Sequence, residues 1–157
     1  MRLVTRFAAL ACTALVLPGI VLADTPPISI LVKPPHAIRK DTKTTYRITV
    51  TNRHRKTLKE VELVVDEPDW LFFRKAKSED GKCHLEFAKE GSGELNKILC
   101  EKITIGGYQS ATYTITFDAT FDQTYCNNTI ELWAHASAKN TEEVSTNVTN
   151  DITCPLL

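Results

Sequence analysis

TYRITVTN, residues 45–52, alternates apolar and polar side chains over a full strand length and ends on an asparagine. Side chains along a β-strand point to opposite faces in turn, so Tyr46, Ile48 and Val50 make an apolar row while Arg47, Thr49 and Thr51 make a polar one. A strand dry on one face and wet on the other belongs to an antiparallel sheet lying on a single core. Arg53, His54, Arg55 and Lys56 follow as a polar turn, with Lys59 just beyond it.

The same pattern continues outward from this stretch. EVELVVD (60–66) turns Val61, Leu63 and Val65 inward, Pro68 ends it, and WLFF (70–73) starts another short strand. KCHLEF and NKILC flank the turn residues Gly91, Ser92 and Gly93. Gly106-Gly107 precedes the longest alternation, ATYTITFDATF (111–121), and TIELWAHA (129–136) and EEVSTNVTNDI (142–152) close the chain. ISILVK (28–33) lies between two proline pairs, which confines it to a sheet edge. No stretch carries a helical period. Short alternating strands separated by turn signals predict an all-β, immunoglobulin-like antiparallel sandwich of seven to eight strands.

The chain has 157 residues, enough for one domain. Arg2 and Arg6 precede an apolar run from Phe7 to Ala23, which reads as a secretory signal peptide cleaved after Ala23, leaving 24–157 as the domain. A signal anchor fits less well, because Pro18 interrupts a run shorter than the roughly 20 residues a spanning helix needs. A lipoprotein signal at Cys12 fits less well too, because too few apolar residues precede that cysteine. No integral membrane segment is therefore expected after cleavage, and the expected location is secreted, extracellular or periplasmic. With 19 basic and 19 acidic residues in all, the balance argues against a dedicated nucleic-acid binder.

Cys83, Cys100, Cys126 and Cys154 remain after cleavage, an even number in an exported chain, and two disulfides are the default. A zinc site of four thiolates would want a close CxxC pair, and there is none. If 126–138 and 142–154 form a hairpin in which Cys126 faces Cys154, then Leu132 meets Val148, Ala134 meets Thr146 and Ala136 meets Val144. The turn then falls on Asn140, a residue that tolerates a left-handed backbone. The same exercise on Cys83 and Cys100 pairs Leu85 with Ile98 and puts the turn at Gly91 and Ser92. Of the three possible connectivities, only Cys83–Cys100 with Cys126–Cys154 lets both hairpins register. Each bridge contributes about 3 kcal/mol by restricting the unfolded chain.

TYRITVTN, EVELVVDEP, WLFF, CHLEF with KILC, and GGYQSATYTITF (106–117) follow the order and spacing of the conserved repeat domain known as DUF11. The chain resembles that family over about residues 29–153. The resemblance implies an immunoglobulin-like fold and a bacterial surface, envelope or secreted setting, and it brings no catalytic residues. Two features depart from the family pattern. Its turn glycines are replaced here by RHRK and DW, and Cys126–Cys154 is an addition.

Candidate chemistry is sparse. His36, His54, His84 and His135 form no metal-binding spacing, and Met1 is the only methionine. There is no nucleophile elbow, P-loop or dinucleotide fingerprint, so no enzyme activity, cofactor or metal is expected. Arg53, Arg55 and Lys56 make a basic corner whose ordinary reading is a solvated turn. Trp133 and His135 fall on the outward parity of their strand and are the strongest lead to a binding face. Asn127 and Asn147 head N-x-T sequons, candidate glycosylation sites in a host that glycosylates exported proteins. The expected function is a non-enzymatic binding or structural domain that contacts protein. The alternatives are a secreted effector or inhibitor, and a hydrolase with an unrecognised site.

Overall fold

In a computed structural model, described over residues 26–78 and 82–154, alternation becomes two sheets lying face to face. The expected signal peptide, its cleavage point and Cys12 lie outside the described residues. The strands are β1 (Ile28–Lys33), β2 (Ile38–Arg39), β3 (Thr42–Asn52), β4 (Leu58–Asp66), β5 (Leu71–Ser78), β6 (Cys83–Glu86), β7 (Lys97–Ile105), β8 (Ser110–Ala119), β9 (Thr129–Ser137) and β10 (Val144–Thr153). One sheet has the order β1-β3-β8-β5, the other β2-β10-β9-β4-β7-β6. One 3-10 turn, Gln123–Tyr125, is the only helical element among the described residues.

Ten strands form where seven to eight are expected, two of them short, β2 with two residues and β6 with four. Pro34 and Pro35 supply no backbone N–H and split the first stretch in two. β1 stays at the edge of the four-stranded sheet, antiparallel to β3, and β2 crosses over to pair in parallel with the end of β10. The cysteine hairpin supplies the other short piece, β6.

The apolar rows meet as the alternation requires. Tyr46, Ile48, Val50, Val61, Leu63 and Val65 are fully buried, as are Tyr113, Ile115, Phe117, Leu132 and Ala134 from β8 and β9. Tyr46 meets Phe117 edge to face at 5.9 Å between ring centres, a favoured aromatic geometry. Both disulfides form in the expected pairing, with Cα separations of 3.9 Å for Cys83–Cys100 and 5.6 Å for Cys126–Cys154. Both hairpin registers agree with the cysteine argument: Leu85 faces Ile98, and Leu132, Ala134 and Ala136 face Val148, Thr146 and Val144. Asn140 takes φ 61° in the turn.

The asparagine that ends β3 has a specific task. Asn52 is fully buried, and its amide donates to the carbonyls of Lys56, Ile105 and Gly106 at 2.8, 3.2 and 3.0 Å. Its carbonyl accepts from His54 N–H at 2.9 Å. The turn from β3 to β4 is thereby tied to the end of β7, across the two sheets. Gly107 is needed in that junction, since a Cβ there would lie 2.1 Å from the Arg55 carbonyl oxygen. Trp70, placed by its sequence in a strand, instead precedes β5 with φ 64° and lies against Tyr125, ring centres 4.2 Å apart.

Two outcomes follow for stability. Asn52→Ala removes the side-chain donor shared by the Lys56, Ile105 and Gly106 carbonyls and lowers the unfolding free energy by about 3 kcal/mol in urea titration. Tyr46→Phe behaves oppositely, because the buried Tyr46 hydroxyl has no hydrogen-bond partner among the described residues, so stability holds or rises by up to about 1 kcal/mol. Burial pushes the Tyr46 phenol above its ordinary pKa of 10.0. The unfolded chain therefore ionises first, and the native chain loses stability relative to Tyr46→Phe only as pH rises beyond about 10.

Candidate functional site

The outer face of the six-stranded sheet is assembled by register across five strands. Ser145 faces His135, His135 faces Val64, Val64 faces Leu99, and Leu99 faces His84. One step along, Asn147 faces Trp133, and Asp66 faces Lys97, which faces Glu86. The alternate residues of these strands, Leu63, Val65, Ile98, Leu132 and Ala134, fill the core, so both rows point to solvent.

Trp133 and His135 stand two apart on β9 with their rings nearly parallel, 13° apart in plane and 6.3 Å between centres. Trp133 keeps 39% of its surface exposed although it sits on a regular strand. His135 is held from both ring nitrogens. Nδ1 lies 2.8 Å from Ser145 Oγ and 3.5 Å from Glu143 Oε1, and Nε2 lies 3.3 Å from Asp66 Oδ2. The imidazole orientation is therefore set by three strands at once.

Beside this pair the face hollows into a groove of about 540 Å³. Its floor is Val64 and Leu99, with Leu95 at the side. Asp66, Glu86, Glu94 and Glu143 supply carboxylates around it, against Lys97 as the one lysine. The wall is the loop between β6 and β7, and a buried glutamate pins it. Glu67 accepts from Phe73 N–H at 2.6 Å and from the Asn96 amide at 2.7 Å. Asn96 in turn accepts from Ala88 N–H at 3.0 Å, and its carbonyl accepts from Glu67 N–H at 2.8 Å. Phe87 and Leu95 stay exposed on this fixed loop.

Trp133 and His135 are thus brought together with a groove that their sequence positions do not announce. Arg53, Arg55 and Lys56 are not brought there. They sit in the exposed turn before β4, whose nine residues separate them from Asp66 by about 26 Å along the strand. Asn127 and Asn147 are both exposed, Asn127 in the turn before β9 with φ 67° and Asn147 on β10, donating to Glu131. Among the described residues no group of three or more His, Cys, Asp or Glu is placed to hold a metal ion, and no helix is long and apolar enough to cross a membrane.

No family model matches the sequence, and no curated protein matches it by sequence. Solved structures do match in shape. A cohesin module from a family 33 glycoside hydrolase of Clostridium perfringens superposes with a TM-score of 0.58 at 10% identity, over 83% of this chain and 100% of that one. An uncharacterised immunoglobulin-like protein of Nocardia farcinica gives 0.53 at 10% identity, over 79% and 97%. A major pilin of Corynebacterium diphtheriae gives 0.54 at 13% identity, over 78% of this chain and 34% of that one. The fold is therefore an immunoglobulin-like β-sandwich stapled by two disulfides.

Two measurements check this geometry. Asn96→Ala releases the groove wall, costing about 2 kcal/mol of stability and raising amide exchange across residues 87–96. Acrylamide quenching of tryptophan fluorescence falls mainly in Trp133→Phe, because Trp70 is shielded by Tyr125 while Trp133 faces solvent.

Proposed function

We propose that this chain is an exported, non-enzymatic domain of the DUF11 type that binds another protein through the outer face of its six-stranded sheet. The observation that carries this reading is the groove beside Trp133 and His135. An exposed indole held on a rigid strand presents apolar area at little entropic cost, and neighbouring carboxylates add orientation and specificity. The two disulfides suit an oxidising compartment. Similar folds occur as an attached module of a glycoside hydrolase and in a pilin, which is compatible with a contact role.

Ser145, His135 and Asp66 form a hydrogen-bonded chain that superficially has the order of a hydrolytic triad. Ser145 however lies within a regular strand, whose backbone N–H groups run in the plane of the sheet rather than towards its hydroxyl. No oxyanion is stabilised by that arrangement. The chain is read as a device that fixes the recognition surface, and a fluorophosphonate probe is expected to leave Ser145 unmodified.

The decisive experiment places a photo-cross-linking amino acid at position 133 in the exported protein, with position 108 as control. Tyr108 is more exposed than Trp133 but lies in the turn between β7 and β8. A discrete protein adduct at 133 and not at 108, weakened when Leu99→Asp is added, supports the reading. Equal adducts at both positions, or none at 133, overturn it.

A further inference from the structure

The equal numbers of acidic and basic residues hide a segregation between the two faces. Register sends Lys33, Lys43, Arg47, Lys75 and Lys77 to the outside of the four-stranded sheet, where Arg74 joins them. Asp118 is the one carboxylate on these strands to share that face, and Arg74 holds both its oxygens, at 3.1 and 2.9 Å. Among the described residues no carboxylate pairs with the other five cations. Lys33 and Arg47 even stand directly opposite one another on adjacent strands, a like-charge pair that costs stability. The opposite face of the domain carries the carboxylates of the groove.

The seam of the basic face carries short, mutually bonded side chains. Thr45 bonds Thr116 at 3.2 Å, Thr49 bonds Thr112 at 3.3 Å, and Thr51 bonds Ser110 at 2.8 Å, tying short side chains along the β3–β8 seam. Two large apolar side chains break the polar surface at opposite corners. Leu31 on β1 is 55% exposed and Phe72 on β5 is 56% exposed. Their rows are three strands and six residues apart, about 24 Å on the diagonal.

We infer that the four-stranded face rests on an anionic lipid surface. Its cations meet headgroup phosphates, Leu31 and Phe72 dip between the headgroups, and the groove lined by His135 faces away towards its partner. A plane of anions engages both corners and the cations between them at once, whereas a single polymer chain follows one line across the face. Single-stranded nucleic acid is disfavoured because its binding grooves set aromatic rings among the cations for base stacking, and Phe72 at a corner is the one aromatic here. The electrostatic attraction acts within about a Debye length of the surface.

Co-sedimentation of the intact exported protein with vesicles tests this. Vesicles of phosphatidylcholine alone are compared with vesicles containing about 30% phosphatidylglycerol, at about 50 mM and about 500 mM salt. Binding only to the anionic vesicles, falling at least about tenfold at the higher salt, supports the inference. The variant Lys75→Glu/Lys77→Glu is expected to bind at least about 25-fold more weakly, since each cation near the surface strengthens partitioning about fivefold. Leu31→Ser/Phe72→Ser is expected to bind about tenfold more weakly with the salt dependence retained. Both pairs lie on exposed positions, and an unchanged melting profile shows that they fold.

Equal binding to neutral vesicles, no binding to anionic ones, or wild-type binding by the lysine variant overturns the inference. Retention on soluble polyphosphate without vesicle binding also overturns it and points to a polymer ligand. Trp133→Ala leaves vesicle binding unchanged, so failure here is separable from failure of the protein-contact reading.

Discussion

The buried amide of Asn52 is the constraint on which the two-sheet arrangement turns. It ends a strand of one sheet while its hydrogen bonds reach the carbonyls of Ile105, the last residue of β7 in the other, and of Gly106 just beyond it. Within a dry interior such a group is worth its place only when every bond is made, and here both donor and acceptor are engaged. That satisfaction fixes how the chain leaves β3 and where β4 begins. Gly107 completes the junction by letting backbone pass backbone at a distance no side chain would allow.

Once the core is closed by alternate residues, the outward residues are free to diverge in chemistry. The six-stranded sheet uses that freedom for a hollow with an apolar floor and carboxylates, stiffened by Glu67 and Asn96 behind its wall. The four-stranded sheet uses it for cations around a seam of threonines. A whole-chain charge near zero is consistent with both, because it sums faces that point in opposite directions. Composition alone therefore understates the electrostatic character of a two-layer fold.

The hairpins closed by disulfides were legible in the chain because each is a local problem. Two strands adjacent in sequence share one register, and a cysteine pair at a fixed position settles it, as Leu85 with Ile98 and Leu132 with Val148 show. The inward rows of Tyr46 and Val61 were legible for a similar reason, since parity depends only on neighbours. Trp70 was misplaced because it sits with a left-handed backbone in the turn that Leu71 N–H closes on the Pro68 carbonyl at 3.2 Å, and its ring packs on Tyr125, which is remote in sequence. Pro34 and Pro35 announced a break, but not that the chain would change sheets there.

The groove and the basic face depend on strand order, which no local pattern contains. Val64, Leu99 and Glu86 join Trp133 and His135 only because β4 lies between β9 and β7. Lys33, Arg47 and Lys77 share a face only because β1 and β5 both flank the β3–β8 pair. Alternation, turn residues and cysteine spacing were enough to establish a disulfide-stapled sandwich with an outward tryptophan, because short-range sterics and parity govern those features. Which surfaces that sandwich presents was settled by long-range pairing, whose energy comes from burying rows that are distant along the chain.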